Sequence, residues 1–284
     1  MYNKINEKDM SVANKVNTLK FFLKKKRVIV MCRVFYGDEW MELALKKVEP
    51  YVYKILILKS NKTWNETNYI SDDVKPIVDR LNRCSGKYVY LERDWGDQWQ
   101  QQETAWNLIR EEYPECTHLL FLDTDEIYDD KDIKTLIKCC RNLHYFNKAL
   151  RVNMYTYIKK VYYRVFPLEV YKPIAIIPML DYVHFTTIRD IDGAPKCTVD
   201  VFMHHFSLVM KDEKRLQMKF RRGVDDYEDT DNWYERVYVP FNENTKNFHT
   251  IKGNESQWAS VKVVKPEDLP DGVEEVFLSW NKDN

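Results

Sequence analysis

Apolar and polar positions along the chain change rhythm about halfway. In the first half, short continuous apolar runs alternate with longer stretches of helical period. The runs are RVIVMC (Arg27–Cys32), KILILK (Lys54–Lys59), KYVYLE (Lys87–Glu92) and THLLFL (Thr117–Leu122). Unbroken runs of this length fit strands buried on both faces of a parallel sheet. Between them the period is helical. A helix is predicted from about Asp38, with Trp40, Leu43, Ala44 and Val48 on one side and Pro50 ending it. A second runs near Asp73–Cys84, and a third from Gln98 to Tyr113. In the third, Trp99, Gln102, Trp106, Ile109 and Tyr113 share a face, so Gln102 points inward among apolar neighbours. A fourth carries Ile133, Leu136, Ile137 and Cys140 on one side.

The order is β-α-β-α-β-α-β-α, which predicts an α/β fold: a mostly parallel central sheet with helices on both faces. Later the pattern shortens into Tyr-rich strand candidates near 147–155, 160–166, 174–178 and 199–206. A charged helix follows near Lys211–Arg222. This predicts an N-terminal arm (1–26), an α/β half (27–145), a smaller mixed half of the same domain (146–240) and a C-terminal tail or lid (241–284).

Composition narrows the classes. The chain has 284 residues, 44% of them hydrophobic, which suits a folded core and excludes a disordered chain. The 44 basic and 44 acidic residues cancel, which argues against a protein living on bare DNA. Six cysteines, Cys139 and Cys140 adjacent and the others scattered, show no metal spacing or disulfide framework. No apolar run is long enough to span a membrane and no secretory signal is visible, so a cytoplasmic location is expected, the host cytoplasm for a phage protein.

Chemistry concentrates after the fourth strand. Asp-x-Asp occurs three times: Asp123-Thr124-Asp125, Asp190-Ile191-Asp192 and Asp229-Thr230-Asp231. Only the first follows a buried strand, and ligands of such sheets bind at strand carboxyl ends. Two carboxylates there suit Mg²⁺ or Mn²⁺, whose remaining ligands would be diphosphate oxygens and water. The competing readings are a cap for the helix near Asp130, or a calcium loop. The calcium loop fails because Tyr128 and Lys134 stand where Gly and Glu are needed.

These pieces resemble GT-A glycosyltransferases of the family-2 type. The similarity covers roughly 27–222 and rests on four segments: Met31–Trp40, Gln101–Asn107, FLDTDE, and Met203–Lys219. It implies transfer of a sugar from a nucleotide-sugar, a UDP-sugar above all, to a glycan, a protein or modified phage DNA. It also implies roles. Asp123 and Asp125 would be catalytic and bind the metal with His205. Arg33, Gln102, Asp123 and Thr124 would contact the donor. Glu169 and Asp192, with Asp181 and Asp190, are candidates for the base. Each residue has a plainer reading: Gln102 could satisfy buried backbone, His205 could be a bonded strand histidine, and Arg33 a surface ion pair. His204 alternates to the other face. One departure stands out, because Lys59-Ser60-Asn61-Lys62 replaces the family's Asp-Asp-Gly-Ser. Basic residues Lys20–Arg27 and Lys211–Arg222 motivate the DNA acceptor. A nucleotidyltransferase and a non-catalytic glycan- or nucleic-acid-binding protein are the alternatives.

Overall fold

The structure is a computed structural model that describes residues 20–34, 38–61, 73–221 and 232–280. Most of the expected N-terminal arm, Arg222 and the Asp229-Thr230-Asp231 motif lie outside these residues.

Four parallel strands build the first half: β1 (Val28–Val34), β2 (Lys54–Ser60), β3 (Tyr88–Arg93) and β4 (His118–Asp123). They alternate with α1 (Asp38–Val48), α2 (Lys75–Ser85) and α3 (Gln98–Glu112). The chain steps outward from β1 to β2 to β3, then returns to lay β4 on the free side of β1. That reversal opens a crevice between the carboxyl ends of β1 and β4, the topological switch point where such sheets take ligands.

Helices cover both faces, as expected. On one face Met41, Leu45 and Val48 of α1, Val78 and Leu81 of α2, and the helix after β4 meet Val30, Cys32, Ile55, Ile57, Leu120 and Leu122. On the other, Ala105, Trp106 and Ile109 of α3 meet Ile29, Met31, Leu56, Leu58, Leu119 and Phe121. Each such side chain is almost fully buried, and each Val, Leu, Ile, Met or Phe among them contributes about 1.5–3 kcal/mol through its apolar area. Local chemistry sets the helix ends. Asp97 caps α3 by accepting the Gln100 N–H at 2.7 Å. Gly86, at φ 62°, closes α2 in the left-handed conformation that glycine adopts without strain.

The second half continues the same sheet. After β5 (Glu126–Tyr128) and α4 (Asp130–Cys139) come β6 (Ala149–Ile158), β7 (Lys160–Phe166), β8 (Ile174–Pro178) and β11 (Lys196–Leu208). β8 pairs antiparallel with β4, and β6 antiparallel with β8. β11 runs parallel to β6 and antiparallel to β5. The ten-stranded sheet is thus parallel at one side and mixed at the other. A separate hairpin, β9 (His184–Thr187) and β10 (Asp190–Asp192), lies on the α3 face through Phe185 and Ile191. Gly193 at its base has φ 90°, and a Cβ there would stand 2.1 Å from the Tyr182 carbonyl oxygen.

The segment expected as a tail or lid is instead built into the body up to residue 280. After α5 (Glu213–Arg221), β12 (Ser260–Val263) pairs with β7 at the sheet edge, and α6 (Val273–Ser279) follows. Phe241, Phe248 and Trp258 are buried in one cluster and Leu269, Val273 and Trp280 in another. Widely spaced aromatics supply this burial, which is why the segment's periodicity is weak.

Candidate functional site

Register places the first pair. Arg33 and Asp123 are direct partners at the carboxyl ends of β1 and β4. They point to the α3 face, on the side of Met31 and Phe121. The Arg33 Nη2 donates to Asp123 Oδ1 at 3.2 Å and to Oδ2 at 3.3 Å. Only 9% of the Arg33 side chain is exposed, against 33% for Asp123. The plainer reading of Arg33 as a surface ion pair therefore does not hold.

A second guanidinium arrives from the hairpin. Arg189, at its tip with φ 57°, grips Glu126 with both terminal nitrogens, one of them at 2.6 Å. Its Nη2 also lies 3.5 Å from Asp123 Oδ2, and 11% of its side chain is exposed. Glu126 is itself buried and accepts the Asp123 N–H at 2.9 Å. Partial burial would push the Asp123 carboxyl up, but Arg189 and Arg33 beside it hold it down at about 2. Burial opposes the charge on Arg189; Asp123 and Glu126 outweigh it and raise its pKa further.

Asp125 and His205 form the other edge. The Phe206 N–H donates to the Asp125 carbonyl oxygen at 2.9 Å, which holds the turn against β11. His205 Nε2 and Asp125 Oδ1 are 3.8 Å apart, too far to bond. His205 Nδ1 is buried and has no partner among the described residues. His204 turns to the opposite face, as alternation predicts. There its Nδ1 meets the Tyr157 hydroxyl at 2.8 Å, and burial pushes its pKa down to about 3.

The helix-cap reading of DTDE is excluded. β5, which begins at Glu126, separates Asp123-Thr124-Asp125 from α4, whose N-cap is Asp129. Thr124 is buried in the turn between Asp123 and Asp125.

The remaining expected residues separate. Gln102 is fully buried. Its Nε2 donates to Thr187 O at 3.3 Å, and its Oε1 accepts the Arg189 N–H at 3.1 Å. Both ends of its amide thus hold the backbone of the hairpin at Thr187 and Arg189. Glu169 Oε1 accepts from Thr156 Oγ1 at 3.0 Å and Trp258 Nε1 at 2.8 Å. Thr156 is the register partner of His205, so Glu169 sits over the same face as Asp125 and His205. Asp192 is exposed on the hairpin. Asp181 pairs with Arg110 at 3.1 Å, and Asp190 with Lys196 at 2.7 Å. Lys59, in the segment that departs from the family, is buried with its Nζ 3.2 Å from Asn61 Oδ1.

Two members of the site had no place among the sequence candidates. Glu126 is the last letter of DTDE but reads as a flanking acid. Arg189 precedes the second Asp-x-Asp, and nothing local marks it; only the hairpin's return to the sheet brings it to Asp123.

No family model matches the sequence, and no curated protein matches it significantly. Among solved structures, residues 1–349 of S. aureus TarS are similar over 64% of this chain and 60% of that one, with 11% identity and a TM-score of 0.41. A 4-diphosphocytidyl-2C-methyl-D-erythritol synthase is similar over 55% of this chain and 76% of that one, with 9% identity and a TM-score of 0.37. This chain therefore spans 60% of the length of the TarS fragment. The α/β fold class rests on this chain's own strand order and register. Among the described residues no helix is long and apolar enough to cross a membrane.

Proposed function

We propose that this protein is a GT-A-type glycosyltransferase that moves a sugar from a nucleotide diphosphate sugar, a UDP-sugar in the first instance, to an acceptor hydroxyl. The observation that carries the reading is the open pair Asp125–His205, 3.8 Å apart, beside the Arg33–Asp123 bridge at the switch point. Three carboxylates face two guanidiniums there, and Asp125 is the acid that neither arginine holds.

One carboxylate and one imidazole suit Mn²⁺ or Mg²⁺, which keep water and take phosphate oxygens. Among the described residues no three His, Cys, Asp or Glu side chains could hold a metal. The protein would thus offer two ligands and leave the rest to the diphosphate and water. The ion would neutralise the diphosphate leaving group. Asp123, engaged by both arginines, holds them in place. Glu169, fixed by Thr156 and Trp258, is our choice for the carboxylate that takes the acceptor proton; Asp192 is exposed on the hairpin.

Calorimetry of UDP binding, with and without Mn²⁺, on the wild type and on Asp125→Ala tests this. Metal-dependent binding lost in the variant supports the reading, and absence of nucleotide binding under every condition overturns it. Release of pyrophosphate from a nucleoside triphosphate, without release of UDP from UDP-sugars, would assign nucleotidyl transfer instead.

A further inference from the structure

Arg189 deserves a function of its own, because its setting is more than a structural ion pair requires. It stands at a hairpin tip in a left-handed conformation, which non-glycine residues adopt rarely. A fully buried glutamine holds its backbone N–H. Its terminal nitrogens are occupied unevenly: two bonds to Glu126 are short, whereas the approach of Nη2 to Asp123, at 3.5 Å, is loose. Its Nε is buried with no partner among the described residues, and so is Nη1 of Arg33 on the other side of Asp123. Buried donors are seldom left unpaired in folded proteins. Two incompletely used guanidiniums flanking one partly exposed carboxylate make a site short of acceptor oxygens.

We propose that Arg33 and Arg189 form a two-armed fork for a diphosphate, and that Arg189 is a phosphate-binding residue of this protein. This rests on the donor-site reading above and names the residues that hold its anion. Planar guanidiniums present paired N–H groups that match phosphate oxygens, which a lysine ammonium does not reproduce. Phosphate oxygens take over the loose Nη2 contact with Asp123, while Glu126 keeps its grip on Arg189. No bond is made or broken in this step. Asp125 opposes the anion until a divalent cation offsets its charge, so the fork alone binds weakly and the fork with metal binds well.

Removing Arg189 alone would strand buried Glu126 without a counter-charge. The test therefore uses Arg189→Lys, which keeps the charge, and the double variant Glu126→Gln/Arg189→Gln, which removes both partners. The probe is inorganic pyrophosphate, titrated calorimetrically in EDTA and again with Mn²⁺. Asp125→Asn serves as the background in which metal-free binding is easiest to see. Expected is metal-free binding by Asp125→Asn that falls about tenfold or more when either Arg189 change is added, as loss of a bidentate charged contact predicts. Unchanged binding in both combinations, or no metal-free binding by Asp125→Asn, overturns the fork. If Arg189→Lys binds UDP with Mn²⁺ as the wild type does, the fork fails while the donor reading stands. If pyrophosphate binding depends on Arg189 but UDP adds nothing to it, the fork stands while the nucleotide reading fails.

Discussion

Arg33 and Asp123 are neighbours in register on two parallel strands, joined at 3.2 Å, where the sheet's strand order reverses. The pair fixes where the site is. Asp123 is also the point at which Arg189 reaches the sheet.

Acid should therefore test Asp123 directly. Its carboxyl is held at about 2 when folded, against an ordinary 3.8. A depressed folded value contributes stability that is present above pH 3.8 and lost as the pH falls through about 2. In Asp123→Asn, the loss of melting temperature between those two pH values should be shallower than in the wild type. Thermal melts at matched ionic strength measure it.

Two histidines act at milder pH. Burial pushes His118 and His204 down to about 3, from an ordinary 6.5, so both are neutral in the folded protein. As the pH falls below 6.5 the unfolded chain takes up their protons and the folded chain does not. Stability drops by as much as about 1.4 kcal/mol per pH unit per histidine. Between pH 6 and 4, denaturant midpoints of His118→Gln should fall less steeply than those of the wild type.

Gln102 links α3 to the hairpin. Gln102→Leu would leave the Arg189 N–H and the Thr187 carbonyl without their buried partner. The expected cost is about 1–3 kcal/mol. Amide hydrogen exchange at Arg189 should accelerate, and nucleotide binding should weaken as the hairpin that carries Arg189 loosens.

At the hairpin base, Gly193→Ala would set a Cβ 2.1 Å from the Tyr182 carbonyl oxygen, at a φ of 90° that suits glycine alone. The hairpin must shift. Nucleotide affinity should fall more than the melting temperature, because the displaced element carries Arg189 and leaves the main sheet intact.

Much of this arrangement is legible in the sequence. Continuous apolar runs give β1, β2 and β4 because both sheet faces are covered. Helical period turns Gln102 inward, and strand alternation separates His204 from His205. What is hidden is tertiary. β5 is only Glu-Ile-Tyr, too short to carry a period. The β9–β10 hairpin exposes most of its residues, so its few buried contacts leave no clear rhythm. Arg189 becomes a site residue only because that hairpin folds back over Phe121.

The order in which the ribosome delivers these residues sets a final constraint. Arg33 waits 90 positions for Asp123, and Glu126 a further 63 for Arg189. A nascent chain that has emerged only through β5 can lay down the parallel strands, yet its acidic turn has no hairpin arginine to meet. Contacts so distant along the chain close late. The pairing of Arg189 with Glu126 and Asp123 thus closes after the scaffold that positions it.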